Sequence, residues 1–293
     1  MGKKKEFVSQ EYSAEKGGKN LKEGTKRSRV AAAFATGFFS VTAVIGLLLI
    51  SFSIIFFFSK VDGTSMMKTL NASSLNTDSV IVNRYEKPKR GDIIVLKHYD
   101  ASGNFKELHI KRLIAVGGES VYFHLEGDHY VVEIDGVPLE DLIDIPDTIN
   151  GNNAEDIGFY KAYYEYQENG DLTRDLTIGS RKGNNDPDFA TNAADGTPFR
   201  KEVTRTLNGV ETTRYEIVLP QGYFFYMGDN RGGNGSDDGN YYNNTNMMSI
   251  DSTYFGPQPM SCIVGVVNEI IYNKSAPQWF WDKIVWAFSF KWL

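Results

Sequence analysis

The sequence predicts a mostly β fold in which antiparallel sheets follow one N-terminal transmembrane helix, with an inserted cap region. Two observations support this prediction. A long segment near the N-terminus carries no charge, and the chain after it consists of short apolar or alternating runs separated by Gly, Asn and Asp. Uncharged apolar segments of ~20 residues cross bilayers as helices, whereas short alternating runs are typical of β-strands.

The composition excludes several classes of protein. With 41% hydrophobic and 23% charged residues in 293, the chain is expected to bury a sizeable core. Its 31 Lys and Arg against 37 Asp and Glu leave no broad basic surface for nucleic acid. The single cysteine, Cys262, cannot form an internal disulfide, and the four histidines show no zinc-ligand spacing. We therefore predict no metal and no cofactor.

Residues 1–29 and 30–58 are interpreted as a cytoplasmic basic tail and a transmembrane anchor. The tail contains nine Lys or Arg against four Glu, a composition typical of disorder. The anchor is too long for the apolar region of a cleaved signal, and no A-x-A site follows it. Because positive charge stays on the cytoplasmic side, the chain after Lys60 is predicted to be extracytoplasmic in a single-pass cell-membrane protein.

The catalytic β domain is predicted to comprise residues 59–140 and 215–275. Residues 141–214 are rich in Asn, Asp, Gly and Thr, and are interpreted as the inserted cap region. Asp135-Gly136 is predicted to form a tight turn. The predicted strands are Ser79–Tyr85, Asp92–His98, His109–Val116, Ser120–Leu125, Tyr130–Ile134, Tyr215–Leu219, Tyr223–Met227 and Ser261–Ile271.

The C-terminal segment, residues 276–293, contains all four tryptophans. It is too short to cross a bilayer comfortably and is interrupted by charged residues. Aromatic rings beside lysines suit the headgroup boundary, so one interpretation is an aromatic membrane-proximal segment lying in the plane of the membrane. The other interpretation is a helix packed on the domain.

Three segments carry residues suited to chemistry. Gly63–Leu70 places Ser65 in a glycine-preceded loop, which alone is typical of an ordinary turn. In His109–Val116, Lys111 interrupts a strand that is otherwise apolar; if its side chain points inward, desolvation lowers its pKa and makes a neutral amine available as a base. The third segment combines Tyr226–Arg231 with Ser249–Gly256.

Taken together, these segments resemble the bacterial type I signal peptidases, which are membrane-anchored Ser/Lys proteases of the peptidase S26 type. The resemblance implies an antiparallel β fold like that of the LexA-type repressors. It also implies a serine endopeptidase that removes signal peptides. The matching blocks occur in family order as Ser65-Met-Met-Lys-Thr-Leu70, Arg90-Gly-Asp-Ile-Ile-Val95, Ile110-Lys-Arg-Leu-Ile114, Gly228-Asp-Asn-Arg231 and Ser249-x-Asp-Ser-x-Tyr-Phe-Gly256.

The resemblance implies roles for individual residues. Ser65 is implied as the nucleophile and Lys111 as the general base, because a weak hydroxyl nucleophile needs an adjacent group to take its proton. Ser249 is implied as a hydroxyl that orients the lysine. The positions implied to support the site electrostatically are Arg112, Asp229 and Asp251.

The resemblance also implies how the oxyanion is stabilised and how the substrate binds. The Ser65 backbone N–H is the expected oxyanion donor, while Gly63 stands where some family members have a serine and leaves the second donor undefined. Substrates of the family bind extended beside a strand, with small residues at the first and third positions before the cut. An anchor ending near Ser65 places the nucleophile close to the bilayer. The expected partners are signal peptides of exported preproteins and membrane lipid, with the translocon as a further candidate.

The chain departs from the family pattern at four places. Lys68 stands where the family usually has proline, and a cation there is expected to lower the pKa of Lys111 further. Thr253 replaces an expected arginine beside Asp251. Residues 232–248 form an insertion, and Gly117-Gly118-Glu119 replaces a more typical Pro-Gly-Asp.

Other classes of protein share some of these sequence features. Self-cleaving Ser/Lys repressors are soluble DNA-binding proteins, so the apolar anchor argues against them. Sortase-like transpeptidases need a catalytic cysteine, and Cys262 lies in an apolar run. The relative in the endoplasmic reticulum has histidine in place of the lysine. The rival from another class is a non-catalytic binding or scaffolding homologue with a drifted site.

Overall fold

The structure is a computed structural model. It describes residues 3–63, 65–66, 69–70, 78–99, 104–127, 129–144, 158–170, 191–207, 209–230 and 251–272, together with 278, 279, 281 and 283. For residues 3–25, 27, 129, 158–163 and 253–254 only the backbone is described. Residues 1–55 and 56–293 form two compact units.

The first unit is the helix α1, Lys3–Ile55. Its segment Ser28–Ile55 is long and apolar enough to cross a membrane, as predicted for the anchor. Two boundaries differ from the prediction. The helix extends back to Lys3 through the tail predicted to be disordered, because Lys and Glu are good helix formers. It ends at Ile55 because Phe56 already pairs with Asn83 in a sheet.

The second unit contains two antiparallel sheets among the described residues, which confirms the predicted fold class. The first sheet has the strand order β1-β2-β12-β3-β4-β10-β11. Its strands are β1 (Phe56–Lys60), β2 (Ser79–Asn83), β3 (Ile93–Tyr99), β4 (Phe105–Val116), β10 (Tyr223–Met227), β11 (Gln258–Pro259) and β12 (Ile263–Ile271).

The second sheet has the order β7-β6-β5-β9-β8. Its turn at Asp135-Gly136 joins β6 to β7 with φ angles of 53° and 82°, which confirms the predicted tight turn. The strands are β5 (Ser120–Glu126), β6 (His129–Ile134), β7 (Val137–Pro138), β8 (Arg200–Leu207) and β9 (Val210–Val218). The short elements are α2 (Leu139–Leu142), α3 (Gly158–Asn169), α4 (Ser252–Phe255) and the 3₁₀ turn Met260–Cys262.

The predicted cap region does not stand apart from the β domain. Strand β8 and part of β9 fall within residues 141–214, yet they pair in the second sheet. Helix α3, which the sequence did not predict, packs on the core through Tyr166 and hydrogen-bonds to β5 through Gln167. Gln167 accepts a hydrogen bond from Phe123 N and donates one to Phe123 O, both at 2.9 Å. This amide pairs with the strand as a neighbouring strand would.

A buried carboxylate joins the two strands that the sequence analysis assigned largely to the cap. Glu216 on β9 is fully buried and accepts hydrogen bonds from Arg205 on β8 and from Arg214. Burial raises the pKa of the Glu216 carboxyl, but hydrogen bonds from Arg205, Ser120 and Arg214 outweigh it and hold the pKa below its usual value. The charge is therefore fully compensated where it lies.

Three hydrophobic clusters hold the second unit together. One joins the two sheets through residues such as Ile114, Phe225 and Phe123. A second lies around Leu96 and Tyr226 in the first sheet. The third packs the segment that follows β1 onto the first sheet, through Val61, Met66, Leu70, Val80, Val82 and Val95. This third cluster positions the loop in which Ser65 lies.

Two described residues of the C-terminal segment contact the β domain. Trp279 Nε1 donates a hydrogen bond to Glu269 on β12 at 2.9 Å, and its ring packs edge-on against Phe58 at 5.9 Å. Lys283 Nζ lies 3.2 Å from the same carboxylate. These contacts favour the packed interpretation for Trp279, while Trp281 remains 65% exposed.

Gly265 generates a testable prediction about the first sheet. It lies on β12 between β2 and β3, where an added Cβ would come within 2.4 Å of Asn83 O and 2.8 Å of Val82 Cγ1. We expect Gly265→Ala to lower the free energy of unfolding by about 2 kcal/mol or more, because backbone must move. Thermal unfolding of the full chain in detergent measures this. Gly46→Ala, which meets nothing within 4 Å, should leave Tm unchanged. Equal Tm values for the two variants would contradict the close packing of Gly265 between β2 and β3.

Candidate active site

Ser65 lies in a short turn that two buried side chains fix to the sheet. Met66 O accepts hydrogen bonds from Thr69 N at 3.1 Å and Leu70 N at 2.8 Å. Met66 and Leu70 are 2% and 1% exposed, so the turn that follows Ser65 is anchored in the core. Ser65 itself is only partly buried. A partly exposed hydroxyl on a rigid turn can meet a substrate.

Lys111 lies on β4, where register brings it opposite Ile94 of β3. It is 4% exposed, although lysine is almost never fully buried without a partner. Its Nζ donates a hydrogen bond to Ile110 O at 3.1 Å. The side chain of Lys111 therefore points inward, which is the condition that the sequence analysis set for a neutral amine.

The structure brings these two side chains together across 46 residues of chain. Lys111 Nζ lies 2.6 Å from Ser65 Oγ, which is a short hydrogen bond between a hydroxyl and a buried amine. Asn230 N also donates a hydrogen bond to Ser65 O at 3.1 Å. The serine is thus held through its side chain by β4 and through its backbone by the loop after β10.

A buried ion pair supports this arrangement. Arg112 Nε and Nη2 bind the two oxygens of Asp229 at 2.8 and 2.6 Å, and Nη1 donates to Gly91 O at 2.7 Å. Thr69 Oγ1 donates to the same carboxylate at 2.5 Å. Asp229 therefore links the strand that carries Lys111 to the turn that carries Ser65. The structure joins Arg112 and Asp229, two residues for which the family resemblance implies a supporting role.

Residues at the start of α4 hold the loop that follows β10. Asp251 is fully buried and accepts a hydrogen bond from Gly228 N at 2.9 Å. Ser252 Oγ accepts one from Tyr226 N at 2.9 Å. Gly228 directly precedes Asp229, and Tyr226 lies near the end of the strand before it. These contacts therefore fix the loop and, through it, the position of Asp229 in the ion pair. Sequence reasoning assigned Asp251 a supporting place but assigned Ser252 none.

Two stacked histidines lie on the hairpin of β3 and β4 that carries Lys111. His109, two residues before Lys111, stacks on His98 with ring centroids 4.6 Å apart, and His98 packs against Phe255 at 4.5 Å. His109 Nε2 lies 3.2 Å from Glu107 Oε1. Burial, and next the charge of Lys111, lower the pKa of His109 to about 4, although Glu107 opposes this shift. His109 is therefore neutral at physiological pH.

Some predicted positions fall outside the described residues. These are Ser249, Lys68, the insertion 232–248 and the side chain of Thr253. Gly63 is described, with φ of 89°, and its N donates to Asp62 Oδ1 at 3.0 Å. Among the residues that the structure describes, no three His, Cys, Asp or Glu side chains are arranged to hold a metal ion.

The departure at Gly117-Gly118-Glu119 has a structural reason. A Cβ on Gly117 would lie 2.7 Å from Pro220 O, so the turn requires a residue without a side chain there. Glu119 accepts a hydrogen bond from Val116 N at 2.8 Å and forms an ion pair with Arg90. The altered turn is thus well supported, and it closes β4 beyond the site.

Sequence reasoning missed several residues of the site. Thr69 and Asn230 lie inside the quoted blocks, but their contacts with Asp229 and the Ser65 carbonyl depend on chain pairing that no local pattern shows. The stacking of His98 with His109 could have been found, since paired strands bring alternate residues to one face. Its signal was two histidines on adjacent predicted strands.

The geometry defines a class, and the comparisons identify the family. A β domain that holds a serine hydroxyl against a buried amine has the arrangement of a serine hydrolase site. The chain matches the family described as "Signal peptidase, peptidase S26" over residues 34–272. It therefore belongs to the signal peptidase family, peptidase S26, which is a family of serine peptidases. Comparison with curated proteins gave no match.

The ion pair generates a prediction about stability. Asp229→Ala leaves the guanidinium of Arg112 buried without its carboxylate, which typically costs about 3–5 kcal/mol. We expect a corresponding loss in the free energy of unfolding, measured by denaturant titration of the full chain in detergent. The exposed acid Asp141→Ala is the matched control and should have little effect. A loss below about 1 kcal/mol for Asp229→Ala would refute a supporting role.

His109 generates a prediction about pH. Its pKa falls from 6.5 to about 4 on folding, so the unfolded chain binds more protons between these values. Stability should therefore decrease as pH falls from about 6.5 towards 4, by a few kcal/mol at most. Unfolding midpoints across this range should show a flatter dependence for His109→Gln. Lys106→Gln, an exposed change on the same strand, should keep the original slope, and an unchanged slope in His109→Gln would show that another group is responsible.

Proposed function

We propose that this chain is a signal peptidase I that removes N-terminal signal peptides from exported preproteins, with Ser65 as nucleophile and Lys111 as general base. The single observation that carries the proposal is the 2.6 Å separation between Lys111 Nζ and Ser65 Oγ. Family membership supports a peptidase of this type. The short distance between the two side chains supports the assignment of Ser65 and Lys111 as the residues that act.

Burial supports the role of Lys111 as a base. An ammonium group loses hydration inside a protein, so burial disfavours the charged form and favours the neutral amine. Lys111 is 4% exposed. A neutral amine has a lone pair that can accept the hydroxyl proton of Ser65. Such tuning is what general bases require near neutral pH.

The reaction proceeds in two steps that share one base. Ser65 Oγ attacks the scissile carbonyl while its proton moves to Lys111 Nζ, giving a tetrahedral oxyanion. The ammonium of Lys111 then protonates the leaving amine, the C–N bond breaks, and an ester to Ser65 remains. In the second step Lys111 takes a proton from water, which attacks the ester. Collapse releases the signal peptide's carboxylate as Ser65 regains its proton.

The backbone around Ser65 is suited to stabilising the oxyanion. The Ser65 N–H is the proposed donor, since a rigid donor aimed at developing charge lowers the barrier most. The turn at Met66 and the hydrogen bond from Asn230 N to Ser65 O fix the peptide that follows Ser65, which limits rotation of the Ser65 backbone. Gly63 brings no side-chain donor, so any further donor comes from elsewhere. Ser249 keeps the proposed role of orienting Lys111.

The substrate is proposed to bind extended beside β4. The ladder between β10 and β4 ends where Met227 pairs with Arg112, immediately after Lys111. Strand β4 therefore continues past the end of β10, and a peptide lying along this stretch would pass the dyad. Main-chain pairing of this kind gives affinity without demanding a fixed sequence. Small residues at the first and third positions before the cut are the expected preference.

The proposed location is the outer surface of the cell membrane. The helix segment Ser28–Ile55 supports a membrane anchor. The excess of Lys and Arg in residues 1–29 favours a cytoplasmic N-terminus by the positive-inside rule. The catalytic domain then faces the side on which translocated preproteins emerge. Membrane lipid and the translocon remain proposed partners.

The prediction that tests this function uses matched pairs of variants. Ser65→Ala removes the nucleophile and Lys111→Met removes the base, and each should lower cleavage of a preprotein by at least about 10³-fold. The measurement is cleavage by the full chain in detergent, with mass spectrometry of the product termini. Ser261→Ala and Lys201→Met remove an exposed serine and an exposed lysine and should retain full activity.

The outcomes separate the alternatives. Cleavage that survives both Ser65→Ala and Lys111→Met would refute the dyad. No cleavage of any preprotein by the parent chain would favour the non-catalytic scaffold. Product termini that fall outside a signal peptide's cleavage region would leave a peptidase but contradict the proposed substrate. Circular dichroism of each variant shows that the fold is retained.

A further inference from the structure

The loop that follows β2 exposes a cluster of positive charge. Arg84, Lys87 and Lys89 are all exposed, and Glu86 is the acidic residue among them. Tyr85 is 71% exposed in the same loop. The segment Arg84–Lys89 therefore presents three cations, one anion and an exposed aromatic ring to its surroundings. The proposed catalytic chemistry uses none of these side chains.

The loop is held in a defined conformation. Tyr85 N donates a hydrogen bond to Asn83 Oδ1 at 3.0 Å, an Asx turn that fixes the first part of the loop. Lys89 N donates to Asp92 Oδ2 at 2.7 Å and fixes the other end. The guanidinium of Arg84 lies over the Phe57 ring at 4.5 Å, which orients the first cation. The backbone that carries these charges is therefore held in a defined conformation.

Chain connectivity limits how far this loop can lie from the membrane surface. The candidate span Ser28–Ile55 has 28 residues, which corresponds to about 42 Å of helix, enough for the hydrocarbon core and both headgroup layers. Phe56 follows directly, and it pairs with Asn83, the residue before the loop. The end of β1 joined to the anchor is therefore the end at which the cations lie.

We propose that Arg84–Lys89 is a contact for anionic phospholipid headgroups, which holds the β domain against the bilayer. Exposed cations close to a membrane are attracted by anionic lipids, and a tyrosine ring suits the interface. The C-terminal Trp279 lies on the opposite face of β1, because it packs on Phe58, whereas Arg84 lies on the neighbouring Phe57. Successive side chains of a strand point to opposite faces. This contact does not depend on the dyad.

The test uses the full chain in vesicles and a fluorescent probe in the loop. Glu86→Cys labelled with an environment-sensitive fluorophore reports on the loop, while Cys262 is buried. Vesicles of phosphatidylcholine alone are compared with vesicles that also contain phosphatidylglycerol, each with a nitroxide quencher on the lipid headgroup. Quenching should be stronger with phosphatidylglycerol and should weaken as salt is added, because salt screens exposed charges.

Charge removal decides whether the loop is responsible. Arg84→Gln, Lys87→Gln and Lys89→Gln together should abolish the phosphatidylglycerol-dependent part of the quenching. The matched control removes the same charge from exposed lysines elsewhere, with Lys60→Gln, Lys97→Gln and Lys201→Gln, and should retain it. Equal quenching in both lipids, or equal loss in both triple variants, would overturn the proposal. Preprotein cleavage in detergent should be the same for both, which keeps this test separate from the proposed function.

Discussion

The hydrogen bond between Ser65 and Lys111 is the interaction on which the rest of the site depends. It joins a partly exposed hydroxyl to an amine that is 4% exposed, over a distance of 2.6 Å. Neither residue is unusual in its own segment, since Ser65 lies in a glycine-preceded loop and Lys111 interrupts a strand. The fold creates the chemistry by burying the lysine and by fixing the serine on a turn anchored in the core.

The surrounding contacts hold these two elements in register. Asp229 binds Arg112, the neighbour of Lys111, and also Thr69 in the turn of Ser65. The loop that carries Asp229 is itself fixed from α4 through Asp251. A buried ion pair gains little stability relative to apolar packing, but removing one partner is costly. Here its geometric effect is clear, because one carboxylate joins the strand of the base to the turn of the nucleophile.

How much the sequence could predict differs between elements for physical reasons. Strand Tyr223–Met227 was predicted with its observed bounds because it is short, apolar and buried. Strand β1 was hidden, since Phe56–Phe58 continue the apolar run of the anchor. Strand β8 was missed because its exposed polar residues show no apolar face. Family resemblance brought Ser65 and Lys111 together, whereas the link from Thr69 to Asp229, across 160 residues, arises only from the pairing of strands.

The measurement that tests the central claim most directly is an NMR titration of the lysine side chains in the full chain, labelled with ¹³C at Cε. Comparison with Lys111→Met identifies the resonance of Lys111. The pKa of an ordinary lysine is about 10.4. The account predicts that the Lys111 signal titrates well below that value, so that the neutral amine is available near neutral pH. A Lys111 signal that titrates with the exposed lysines would contradict it.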